Sequence, residues 1–120
     1  MTPPAELRSR SSVRIAFWLA ATLALVMALL PHPPEIPGDP PDKVQHMAAF
    51  ATLGLLGGFA YPLLRRRWLI VGLSLFGAMI EVAQAIPALH RDSDPLDWVA
   101  DTVACAVAVV AARWWLRRKR

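Results

Sequence analysis

Four stretches of this chain stay apolar for nearly the length a lipid bilayer demands, and this limits the fold more than any other feature. A hydrocarbon core ~30 Å thick takes about 20 helical residues at ~1.5 Å each. The stretches cover about 15–30, 44–64, 68–86 and 96–116. The first is short, bounded by Arg14 and by Pro31-His32-Pro33-Pro34, a block that ends any helix. Pro87 closes the third, and Pro95 suits the first turn of the fourth. A hydrophobic fraction of 56% and a mean hydropathy of +0.40 exceed what a soluble core of 120 residues needs.

Charge orients the spans. Arg8, Arg10 and Arg14 precede the first span, Arg65, Arg66 and Arg67 join the second and third, and Arg113, Arg117, Arg118, Lys119 and Arg120 end the chain. Lys43 and Arg91 are the only basic residues on the other side, which also carries every acidic residue except Glu6. The positive-inside rule makes the basic side the cytoplasm. The expected fold class is therefore an all-α membrane protein with four transmembrane helices and both termini cytoplasmic. Its parts are a basic N-terminus over residues 1–14, a membrane domain over 15–116 and a basic tail over 117–120. The first segment also has the charged start and short apolar core of a cleaved signal peptide, with Val26-Met27-Ala28 as a passable site. The charge pattern favours a retained helix.

Several functions are excluded or disfavoured. The single Cys105 forms no intramolecular disulfide and reads as a small packing residue in an Ala/Val-rich run. There is no glycine-rich phosphate loop, CxxC or HExxH. The +4 net charge borders apolar spans instead of a soluble face, so nucleic acid is not an expected partner.

Polar residues inside the greasy segments carry the functional signal. Asp42 and His46 are i and i+4, Glu81 and Gln84 are i and i+3, and Asp94, Asp97 and Asp101 continue one stripe. Helix rise puts His46 ~6 Å, Glu81 ~8 Å and Asp101 ~9 Å inside the same boundary. Ionisable groups at membrane depth face protein or water and are functional candidates by default. Packing is available to gather them, since Gly54 and Gly58 have GxxxG spacing, while Ala100, Ala104, Ala108 and Ala112 share a stripe. One reading is a satisfied structural network in which Glu81 and Asp97 accept bonds from Arg91, Gln84 and His46. Another is a pocket for a ligand. A metal set of Asp42, His46, Glu81 and Asp97 is not expected, because one histidine among acids is a weak signature for zinc. No cofactor is expected either. His32 reads as a solvent-exposed loop residue, and His90 lies beside Arg91 in the loop before the fourth span.

Taken in order, Asp42-Lys43-x-x-His46 with Phe50 and Leu53, Ile80-Glu81-x-x-Gln84, Arg91 and Asp97-x-x-x-Asp101 resemble the VanZ-like family of small bacterial membrane proteins. The similarity covers roughly residues 41–110. It implies a multi-pass cell-envelope protein of the bacterial inner membrane. The family's namesake is associated with low-level teicoplanin resistance. Asp42, Lys43, His46, Glu81, Gln84, Arg91 and Asp97 correspond to motif residues. The chain departs from the pattern at Asp101, where the family commonly has Asn, and at Ala104 and Ala108, which occupy glycine places.

The leading expectation is an outer-leaflet site for an envelope lipid or glycolipid headgroup. Lys43 and Arg91 would meet phosphate or carboxylate, and Glu81, Gln84 and Asp97 would meet hydroxyl or amine groups, with Asp42, His46 and Asp101 completing the binding set. The expected partners are membrane lipids and an envelope glycolipid or glycopeptide, and a homodimer is compatible with four short helices. A second reading is a lipid-modifying enzyme with His46 as general acid or base, oriented by Asp42 or Glu81. His46, Glu81 and Asp97 are then the catalytic candidates. Ser93, Thr52 and Ser74 offer no recognisable nucleophile. A third is proton-coupled transport, which the lack of ionisable residues in the inner halves of the spans disfavours.

Overall fold

In a computed structural model, residues 5–30, 38, 41–89 and 93–119 are described. Arg91, His32, His90 and Arg120 lie outside them, as does the side chain of Asp42. Among the described residues the chain forms four α-helices: α1 (Ala5–Leu29), α2 (Asp42–Ala60), α3 (Arg66–Gln84) and α4 (Pro95–Arg118). Three are long and apolar enough to cross a membrane: α1 over Arg10–Leu29, α3 and α4. The second helix is not among them. Its first turn contains Asp42, Lys43, Gln45 and His46, which dilute an otherwise apolar segment.

Helix ends follow local chemistry. At the start of α4 the Asp94 side chain accepts the Leu96 N–H at 3.0 Å, and Pro95 fills a first-turn position where no donor is needed. The apolar run of the second stretch continues to Leu64, but α2 stops at Ala60. Pro62 disfavours helical backbone at the residue before it, and Tyr61 leaves the helical region at φ −126°, ψ 65°. The first and last helices overrun the apolar stretches, because Arg and Ser are tolerated where a helix emerges from its packed region.

The helices run up and down. Arg14 of α1 donates to Ala60 O at the end of α2, while Gln84 at the end of α3 donates to Ala28 O at the end of α1. Lys43 near the start of α2 pairs with Asp97 near the start of α4. The most extensive helix pairing is α2 with α4. It depends on small residues, as the GxxxG and alanine stripes suggest: a Cβ on Gly58 would lie 2.7 Å from Ala112 Cβ. Phe50, Leu53, Leu73, Ile80, Cys105 and Val109 fill the core between helices. Much of the outer surface is apolar at mid-helix, with Leu19 and Leu75 each 66% exposed. An aqueous surface rarely carries so continuous an apolar band, so the bundle is suited to lipid.

One end of the bundle is closed by arginines. A helix ends with carbonyls that have no partner in the helix itself. Arg113 of α4 donates to Gly58 O at 3.1 Å, Tyr61 O at 2.7 Å and Leu64 O at 2.6 Å, and Arg14 reaches Ala60 O at 3.0 Å. These cations also complement the negative end of the α2 dipole. Arg14 and Arg113 thus have a structural duty.

Candidate functional site

The opposite end gathers the polar residues. Lys43 and His46 come from the first two turns of α2, Glu81 and Gln84 from the end of α3, and Asp97 and Asp101 from the first two turns of α4. Lys43 Nζ lies 3.7 Å from Asp97 Oδ1, and His46 Nδ1 lies 3.9 Å from Asp101 Oδ2. His46, Glu81 and Asp101 each present one potential ligand atom, all within 4.8 Å of one another.

Burial divides the group. The Lys43 side chain is half-exposed and Asp97 largely covered, so their ion pair forms the rim. Below it, Asp101 is 2% exposed and Glu81 7%. Glu81 Oε2 accepts from the Asp94 backbone N–H at 3.1 Å and from Ser93 Oγ at 3.1 Å. Glu81 Oε1 and Asp101 Oδ1 are buried with no hydrogen-bond partner among the described residues. Leaving a buried carboxylate oxygen unpaired costs about 1–3 kcal/mol or more. Two such oxygens at one place are poor structural glue.

The arrangement differs in detail from the expected network. Gln84 is buried and donates its Nε2 to Ala28 O at 3.0 Å, so it fastens α3 to α1, while its Oε1 has no partner. Glu81 takes its bonds from Ser93 and Asp94. The carboxylates beside His46 are Asp101, at 3.9 Å, and the expected Glu81, while the side chain of Asp42 lies outside the described residues. Sequence reading passed over Ser93 as a loop residue. Its signal is Ser93-Asp94-Pro95, a helix-start pattern that folds the loop's donors back toward the preceding helix. Thr52 donates to Ala48 O within its own helix, and Ser74 bonds to Thr102 at 3.0 Å across α3 and α4. Both hydroxyls hold structure.

Beside the polar group lies a groove of about 340 Å³ between α1, α2 and α3. Leu23, Met27, Phe50 and Ile80 supply apolar wall, and Gln45 and His46 are its polar edge. His46 therefore borders two environments, the acidic cluster on one side and an apolar channel on the other. In chemical terms, this end of the bundle has carboxylates able to take a cation, an amine or a hydroxyl, a lysine able to meet an anion, and space for a hydrocarbon chain. No protein-family model matches the chain, and comparison with curated proteins and with solved structures finds no match either.

Proposed function

We propose that the chain is a VanZ-like protein of the bacterial inner membrane that binds an envelope lipid or glycolipid headgroup at its polar end. In this reading all four helices span, both termini are cytoplasmic, and the polar end faces the outer leaflet. The distribution of basic residues supports that orientation: Arg65, Arg66, Arg67, Arg117, Arg118 and Lys119 all lie at the end away from Glu81 and Asp101. The short, polar-headed α2 spans by virtue of its packing against α4, because its polar first turn meets protein groups instead of lipid.

The observation that carries the headgroup reading is the adjacency of the groove and the cluster at His46. A lipid has the same two parts, a hydrocarbon chain and a polar head, joined within a few ångströms. Lys43 at the rim supplies a cation for a phosphate or carboxylate, and the buried oxygens of Glu81 and Asp101 accept from hydroxyl or amine groups. Native mass spectrometry in detergent tests the idea with lipids bearing phosphate, amine or sugar heads. Wild type should retain one head class, and Lys43→Ala combined with Glu81→Gln should lose that retention several-fold. Equal retention of every lipid by both proteins contradicts the reading.

One observation favours a second reading, acid–base chemistry on such a lipid. His46 Nδ1 faces the Asp101 carboxylate at 3.9 Å while its ring lines the groove, the arrangement of a histidine oriented by an acid toward a substrate. A His46→Ala variant that fully complements a deletion strain removes it.

A further inference from the structure

We infer that His46, Glu81 and Asp101 form a binding site for a divalent transition-metal cation, with zinc the best-suited ion. The inference starts from geometry and holds whether or not a lipid binds nearby. One nitrogen and two carboxylate oxygens, contributed by three different helices, lie within 4.8 Å of one another. Two ligands of a tetrahedral zinc ion stand about 3.3–3.5 Å apart, so the set must close by up to about 1.5 Å. Small side-chain rotations bring this set onto one ion.

The second observation concerns the unused atoms. Glu81 and Asp101 are both more than nine-tenths buried, and each keeps one oxygen with no hydrogen-bond partner among the described residues. The other Glu81 oxygen is held by Ser93 Oγ and the Asp94 N–H, which fix the carboxylate in place as outer partners fix metal ligands. Charge points the same way. Among the described residues the Lys43 ammonium pairs with Asp97, and no lysine or arginine pairs with Glu81 or Asp101. A buried carboxylate pair is stabilised by a shared positive ion.

The ligand set selects among ions. Imidazole suits zinc, iron, nickel and copper, whereas magnesium and calcium prefer an all-oxygen shell. Three protein ligands leave at least one position open for an exogenous oxygen, and His46 also lines the adjoining groove. The site is thus built to present a Lewis-acidic ion beside an apolar channel.

The test uses the full chain in detergent, stripped with a chelator, freed of added lipid and reloaded with excess Zn²⁺ or Co²⁺. Zinc retained after gel filtration is measured by elemental analysis, and Co²⁺ serves as a spectroscopic probe of the coordination shell. Wild type should retain one zinc per chain, with magnesium in excess failing to displace it. Glu81→Gln and Asp101→Asn, which keep side-chain shape, should each weaken binding at least about tenfold. His46→Ala should change the Co²⁺ absorption spectrum. If wild type retains no zinc, as when a guanidinium fills the place, the inference is overturned. It is overturned equally if magnesium competes at parity, or if Co²⁺ spectra are identical in wild type and His46→Ala. Should either carboxamide variant fail to fold, the wild-type stoichiometry and the His46→Ala spectrum decide. Zinc bound without any lipid preference separates this inference from the headgroup reading.

Discussion

A Cβ on Gly54 would stand 2.6 Å from the carbonyl oxygen of Cys105 and 2.9 Å from Ala108 Cβ. The backbones of α2 and α4 touch there, and this contact sets the depth at which His46 meets Asp101. Gly54→Ala must therefore push the two helices apart. Overpacking of this kind costs about 1–3 kcal/mol. Gly72, on α3, has nothing within 4 Å of a Cβ. Gly72→Ala should leave stability unchanged or raise it by up to about 1 kcal/mol through helix propensity. Denaturant unfolding in detergent, followed by circular dichroism, compares the two substitutions directly.

Arg113 holds three carbonyls at the end of α2 and the turn beyond it. Removing it with Arg113→Ala should lower stability by about 2 kcal/mol or more, since hydrogen bonds to a charged group contribute about 1.5–3 kcal/mol each and are not additive. Arg113→Lys should recover only part of that loss. An ammonium is a point charge and lacks the planar fork that reaches several acceptors at once. Thermal midpoints of the three proteins check the order wild type, Lys, Ala.

The orientation of the bundle gives a labelling prediction. Cys105 is fully buried, so the wild-type background toward a membrane-impermeant maleimide should be negligible. Lys43→Cys, at the half-exposed rim, should label in intact cells from outside. Arg66→Cys, at the other end of the bundle, should label only after the membrane is opened. The reverse pattern contradicts the proposed topology.

Much of this architecture is legible before folding. Apolar run length locates all four helices, prolines mark the end of the first and third and the start of the fourth, and small-residue spacing points to close packing of α2 and α4. Antiparallel tracing with helix rise also collects His46, Glu81 and Asp101 at one depth. Partner identity is less legible, because it depends on helix rotation. That rotation adds the Asp101 carboxylate to Glu81 beside His46, and turns Gln84 toward Ala28 O. The capping duty of Arg14 and Arg113 is hidden for the same reason. An arginine at a span's end reads as a topology charge until the neighbouring helix's last carbonyls are located. The second helix shows the limit of hydropathy alone, since the polar turn that makes it interesting is also what removes it from the apolar class.

The polar end should bind a ligand and not merely hold helices together, and the thermal midpoint of chelator-treated Asp101→Asn tests that claim most directly. Asp101 is 2% exposed, lacks a partner for one oxygen and sits beyond hydrogen-bond distance from His46. A buried carboxyl group so poorly compensated does not stabilise the fold, and replacing it at constant shape should leave the midpoint unchanged or raise it. A fall of more than roughly 5 °C, equivalent to about 1 kcal/mol, would show that Asp101 is part of a structural network and contradict the account.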